Sequence, residues 1–148
     1  VYLGEYAANG NNELDRALAA GIHLCNVERN ADVVEMTSYA PLLCKNGYSN
    51  WNPDMIYFDN SEKIRLTESY KMQKMFGQHA GDTYVVSELN LSAALKRYVG
   101  TSVVKDSKTG KTWLKVVNAL PRTLKLQVSG LGDKVVEVKG RSAQVFEL

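Results

Sequence analysis

Cysteine and histidine are scarce in this chain: Cys25, Cys44, His23 and His79 are the full set in 148 residues. None forms a CxxC pair or a Cys/His spacing able to hold a metal, so no metal site is expected. The two thiols are expected as buried free cysteines rather than a disulfide, because cysteine packs as a small apolar residue. The two histidines, isolated from each other and from any ligand partner, read as packed or surface residues. Excess charge is also lacking. The formal net charge is +2, and lysine and arginine are scattered, so nothing resembles a nucleic-acid footprint and the expected partner is small or uncharged. No apolar run approaches the ~20 residues that span a bilayer, and the N-terminus has no basic stretch followed by an apolar one and a cleavage site. Repeats and low-complexity segments are absent too.

What is present is 45% hydrophobic and 23% charged residues, the composition of a globular protein with a substantial core. The first residue, Val1, stands in mid-strand without an initiating methionine, so the chain reads as a piece of a longer polypeptide. The run from Val1 to Ala7 has strand formers at Tyr2, Leu3 and Tyr6 and is ended by Asn9-Gly10-Asn11-Asn12. Glu5 lies inside that run, near its C-terminal end. A carboxylate is costly among apolar residues unless it is used, and in α/β barrels that end of a strand carries the chemistry.

After this strand, Asn12 can cap a helix running to about Val27, with Leu14, Leu18, Ile22 and Cys25 on one face. Asp32-Val33-Val34-Glu35 reads as the start of a second helix, with Val33, Met36, Ala40 and Leu43 sharing a face, limited by Pro41 and the Lys45-Asn46-Gly47 turn. Met55 to Phe58 reads as a short buried strand. Thr67 then precedes a helix with Tyr70, Met75 and Phe76 turned inward, ending around Gly77 to Gly81. From Thr83 the texture becomes β-branched and alternating. Strands are predicted over 83–89, 98–104, 112–120, 124–128, 134–139 and 143–148, with a hairpin turn at Lys108-Thr109-Gly110-Lys111. Leu124, Leu126 and Val128 alternate with Lys125 and Gln127, the pattern of a sheet with one wet face. The boundary falls near Gly81-Asp82. The expected fold is therefore α/β plus all-β: the last two βα units of a (β/α)8 TIM barrel over 1–82, then an antiparallel β-sandwich over 83–148. A whole barrel needs ~250 residues, so much apolar surface of the first part requires a further partner.

Gly4-Glu5-Tyr6 by itself leaves two readings open, a catalytic carboxylate or one that caps a helix or meets an arginine. Its context is more specific. Gly4-Glu5-Tyr6-Ala7, then Val27-Glu28-Arg29-Asn30-Ala31-Asp32-Val33-Val34, Ser38-Tyr39-Ala40-Pro41-Leu42, the run from Trp51 to Asn60 and the run from Ser69 to Phe76 occur in an order that resembles the C-terminal part of family 51 glycoside hydrolases, the α-L-arabinofuranosidases. The strand-rich remainder resembles the β-sandwich that follows the barrel in that family. The resemblance implies a retaining hydrolase whose nucleophile is a glutamate at the end of the seventh barrel strand, a position Glu5 matches. It also implies an acid/base glutamate in an Asn-Glu pair on the fourth strand, upstream of this chain, so residues 1–148 alone are expected to be inactive. Asn12-Glu13 has the same letters but lies at a helix start, where acids favour the dipole, and is read as structural.

Trp51 and Asn52 precede the strand at 55–58, which this reading takes as the last barrel strand, and are candidates for stacking on or hydrogen bonding to a sugar. Their alternative is a loop that packs Trp51 and turns at Asn52-Pro53, and for Asp54 the loop role is favoured. Tyr6 is a third substrate-binding candidate, with packing as its alternative. Glu28, Arg29 and Asp32 read as a paired or solvated face, and Trp113 as sandwich core. The expected substrates are arabinan- and arabinoxylan-type polysaccharides, with no cofactor required, no nucleic-acid or membrane partner, and self-association into a homo-oligomer through the open barrel edge. Localisation is left between periplasm or outside, the favoured side, and cytoplasm. The rivals are a non-catalytic carbohydrate-binding β-sandwich and a retaining glycosidase for another sugar.

Overall fold

The computed structural model describes residues 1–52 and 54–148. Strand β1 (Tyr2–Tyr6) leads through helix α1 (Glu13–Arg29) to strand β2 (Met36–Tyr39), which pairs with β1 in parallel. This β-α-β unit corrects the sequence reading in one respect: 36–39 is a strand, not part of a second helix. Its helical spacing was real, but its residues are those of a strand with two different faces, and the parallel partner of β1 satisfies the backbone that a helix would have bonded internally. Nor is Met55 to Phe58 the strand that joins β1. The chain leaves β2 at Ala40, whose N–H still donates to the Tyr6 carbonyl, and enters a separate three-stranded sheet of β3 (Leu43–Lys45), β4 (Ile56–Phe58) and β5 (Ile64–Leu66), ordered β3-β4-β5. Cys44 lies in β3 and so is on a strand.

Thr67 caps helix α2 (Glu68–Gln78): its Oγ1 accepts from the Tyr70 N–H and donates to the Met55 carbonyl at 2.8 Å, tying the helix start to the end of the loop before β4. Ser69, Met72 and Phe76 are the residues α2 buries, with Tyr70 and Met75 half-buried. Strand β6 (Thr83–Tyr84) is shorter than the predicted 83–89. Val85 makes one further bond to Val103, but Val86 is 87% exposed and the Ser87 carbonyl is taken by Arg29, so the segment leaves the sheet. A four-residue helix α3 (Ala93–Lys96), which the sequence did not signal, precedes β7 (Val99–Lys105), β8 (Thr112–Asn118), β9 (Leu124–Val128), β10 (Lys134–Val138) and β11 (Ser142–Glu147).

These strands form two layers, an antiparallel sheet ordered β11-β8-β7-β6 and a pair β10-β9. Asp106 closes the β7–β8 turn by accepting from Lys108 N and Thr109 Oγ1, and Gly110 takes φ +74° there, where a side chain would be strained. Val99, Val103, Leu114, Val116, Leu120, Leu124, Val136 and Val138 fill the space between the layers. Asn118, fully buried, staples them: its side-chain amide donates to the Arg122, Val138 and Lys139 carbonyls and its oxygen accepts from Leu120 N. The β9 alternation holds, with Lys125 and Gln127 exposed. β8 differs, because both of its faces are covered. Leu114 and Val116 face the second layer, while Trp113, Lys115 and Val117 meet the helices. α1 lies close on this sheet because two glycines permit it. A Cβ at Gly100 would come within 3.0 Å of the Ile22 Cα, and one at Gly21 would meet Val117 Cγ2 on β8 at 3.0 Å as well as the Met72 sulfur on α2 at 2.7 Å.

Candidate active site

Glu5 sits at the carboxyl end of β1, and the local register explains its aim. Leu3 pairs with Thr37 and Glu5 with Ser38, so Gly4 is the extra residue of a β-bulge immediately before it. Bulges bend a strand and redirect the next side chain. The pairing also sorts the two faces. Tyr6 and Tyr39 are opposite each other and touch edge to face at 5.5 Å on the helix side, and Thr37 shares that side by alternation. Tyr2, Met36, Glu5 and Ser38 therefore share the other face, where the Tyr2 hydroxyl donates to Ser38 Oγ at 2.9 Å. That face is open in this chain: Tyr2 is 58% and Met36 63% exposed, and Glu5 is exposed beside them. The arrangement holds a solvated carboxylate next to a hydroxyl pair, with the helices behind it.

Tyr6, expected as a substrate-binding candidate, is not brought to this face. Its ring lies 4.6 Å from that of His23 on α1, and its hydroxyl accepts from Gln73 Nε2 at 2.5 Å on α2. Burial pushes its phenol above the ordinary value, opposed by the Gln73 hydrogen bond, as suits a packed tyrosine. The strand's alternation decides this: neighbours in sequence point to opposite sides.

Trp51 and Asn52 lie in the loop between β3 and β4, on the excursion that leaves β2 at its carboxyl end, the same end of the β-α-β unit as Glu5. Trp51 is 73% exposed and Tyr48 79%, flanking a groove of about 420 Å³ with Lys45, Leu43 and Asp54 among its walls. The alternative of a packed Trp51 is thus not what the structure has. Asp54 is buried, and its carboxylate accepts from Ser49 Oγ at 3.1 Å while that same hydroxyl accepts from Trp51 N at 3.0 Å. Asp54 is accordingly a loop brace, as favoured from the sequence. Asn52 offers its side-chain oxygen to Arg16 Nη1 at 2.8 Å. Pro53, half of the turn read from sequence, lies outside the described residues.

Glu28 and Arg29 are paired. Glu28 accepts from Lys115 Nζ and Ser102 Oγ, and Arg29 donates to the Ser87 and Thr101 carbonyls. Glu13 forms an ion pair with Arg65 at the start of α1, a structural place for it. Both cysteines are free and buried, and burial pushes the Cys25 thiol up to about 12, with the Glu28 charge adding to it. Trp113 is half-buried against His79 at 4.9 Å, on the helix side of β8 and so outside the sandwich interior. Sequence reasoning missed Ser38, Tyr2 and Arg16. Ser38 was hidden by reading its segment as a helix, which removes the cross-strand register. Among the described residues no cluster of three or more His, Cys, Asp or Glu could hold a metal ion, and no helix is long and apolar enough to cross a membrane.

A carboxylate at the carboxyl end of a parallel strand, on the face away from the helices, is where α/β proteins place reacting groups. The chain belongs to the family described as the α-L-arabinofuranosidase C-terminal domain, whose model matches residues 4–144. It is 32% identical to α-L-arabinofuranosidase 1 of Arabidopsis thaliana over 154 aligned positions, covering 99% of this chain and 22% of that protein. It is 41% identical to an extracellular exo-α-L-arabinofuranosidase of Streptomyces chartreusis over 88 positions, covering 60% of this chain and 10% of that one. The chain thus spans about a tenth to a fifth of these curated relatives. In fold it is similar to the arabinose-bound MgGH51 α-L-arabinofuranosidase, with a TM-score of 0.74 at 22% identity over 97% of this chain and 28% of that chain.

Proposed function

We propose that this chain is the carboxyl part of a retaining α-L-arabinofuranosidase and that Glu5 is its nucleophile. In this reading residues 1–82 close a (β/α)8 barrel, with β1 and β2 as its last two strands, and 83–148 form the sandwich attached to it. The exposed face bearing Tyr2, Met36 and Glu5 would be the barrel interior. The observation that carries the proposal is the setting of Glu5: exposed, re-aimed by the Gly4 bulge, and at the carboxyl end of a parallel strand within the segment matched by the family model.

The chemistry follows from that placement. The Glu5 carboxylate attacks the anomeric carbon of a terminal arabinofuranosyl group as a second, protonated carboxyl ~5 Å away donates its proton to the departing glycosidic oxygen. A covalent glycosyl-enzyme forms on Glu5, and water, deprotonated by the second carboxyl, then releases arabinose with retained configuration. That second carboxyl belongs to a part of the polypeptide outside residues 1–148, so these residues alone do not turn over substrate. Ser38, opposite Glu5 in the register, keeps a hydroxyl beside the nucleophile, and Trp51 offers an apolar face to the sugar. Arabinan- and arabinoxylan-type polysaccharides are the substrates, and the extracellular relative supports a place outside the cytoplasm.

The test is Glu5→Ala in the full-length enzyme. Turnover of an aryl α-L-arabinofuranoside should fall by roughly four orders of magnitude or more, as when a group acting only in the transition state is removed, and added azide should restore release while inverting the product's configuration. Near-normal activity would remove Glu5 from this role. A panel of aryl xylosides and glucosides, run on the unaltered enzyme, separates this sugar specificity from that of other retaining glycosidases.

A further inference from the structure

Arg16 stands one turn into α1 and reaches two loops at once. Its Nε donates to the Gly10 carbonyl at 3.0 Å, in the segment that leaves β1 just after Glu5, and its Nη1 donates to Asn52 Oδ1 at 2.8 Å, next to Trp51. Both acceptors are neutral oxygens, and among the described residues Arg16 joins no ion pair. A flat guanidinium suits such a bridge, since its donors diverge in fixed directions; a lysine ammonium on a flexible stem has no such fork. Gly10 fits the same purpose. A Cβ there would press to 3.2 Å on the Arg16 Cγ, so the bare backbone lets the side chain cross it.

The loop that Arg16 grips is already braced from within. Ser49 Oγ donates to Asp54 and accepts from Trp51 N, bonds that lie within the loop itself. The neighbouring residues of the first helical turn are engaged elsewhere, Glu13 with Arg65 and Asp15 with Arg141 at 2.5 Å. Arg16 is the member of that turn that joins the Trp51 loop to the loop following Glu5. We propose that Arg16 is a positioning residue: it fixes the Trp51 loop in register with the carboxyl end of β1, so that the indole is presented to a sugar chain bound at Glu5. This inference rests on the reading of Glu5 and Trp51 given above.

The experiment uses the full-length enzyme with Arg16→Met, which keeps the stem and removes both donors, Asn52→Ala, which leaves α1 untouched, and the double variant. With an α-1,5-linked arabinotriose, each single change should raise KM about tenfold, the lower end for losing a charge-assisted hydrogen bond, with kcat within about threefold. The double variant should be no worse than either single one, because both cut the same link. A purely structural bond would lower the melting temperature and leave the KM of the folded enzyme alone. Unchanged KM in both single variants, or effects that multiply in the double, would overturn the assignment. If Glu5→Ala abolishes turnover while these variants are kinetically silent, Arg16 alone loses its role. If Glu5→Ala is active, the underlying reading fails first.

Discussion

The two ends of α1 use the same kinds of side chain in opposite surroundings. At its start, Glu13, Asp15 and Arg16 reach Arg65, Arg141, Gly10 and Asn52 through side chains that solvent can still touch; the Arg65 and Glu13 side chains are 54% and 39% exposed. At its end, Glu28 meets a Lys115 with no exposure at all, with Ser102 as a second donor and the Phe76 ring 4.9 Å from the ammonium. Solvent screens the first set, so those bonds set where loops lie and add little to stability. The second set is held by the sheet, and neither partner can be lost without stranding a charge. One helix thus joins a solvated end, where its side chains set the place of loops beside Glu5, to a packed end, where burial sets the energy.

The sharpest way to break that contrast is to remove one partner at each end. Lys115→Ala should cost about 3 kcal/mol, the lower part of the range for breaking a buried pair because Glu28 retains some solvent. Glu13→Ala should cost less than about 1 kcal/mol, as exposed pairs do. Chemical denaturation of both variants checks this, and equal costs would mean that burial does not separate the two ends.

A smaller effect concerns the middle of the helix. Burial holds the His23 imidazole below its ordinary value of 6.5, and its buried Nε2 has no hydrogen-bond partner among the described residues. The unfolded chain therefore binds this proton first as pH falls. The contribution of neutral His23 is fully present above about pH 6.5 and is lost progressively as pH drops below it. His23→Phe keeps a ring against Tyr6 and has nothing to titrate, so the decline in stability between pH 6.5 and 5 should flatten. A variant with the same acid slope as the parent would show that other groups cause it.

Much of this organisation was legible in the sequence because it depends on local signals. Asn12 and Thr67 announce the helices by capping them, and the alternation at 124–128 announces a strand with a wet face. The error at 32–43 has a physical cause. Val33, Met36, Ala40 and Leu43 recur at helical spacing, but a parallel strand is defined by its partner, and β1 lies thirty-odd residues away. The same reason hid Ser38, whose importance is its place opposite Glu5. Glu5 itself was visible as a carboxylate in an apolar run. Tyr6 was open between the pocket and packing; a strand sends neighbours to opposite faces, and the fold packs its ring against His23 and Tyr39. Arg16 gave no signal, since its two partners come from loops whose approach only the folded chain creates.

In the proposed mechanism Glu5 becomes covalently bonded to the sugar during turnover. The direct measurement is to treat the full-length enzyme with a mechanism-based arabinofuranosyl inactivator, digest it and locate the label by mass spectrometry. The label should lie on the Glu5 carboxylate, in the peptide containing Gly4-Glu5-Tyr6. A single label on any other residue would contradict the account.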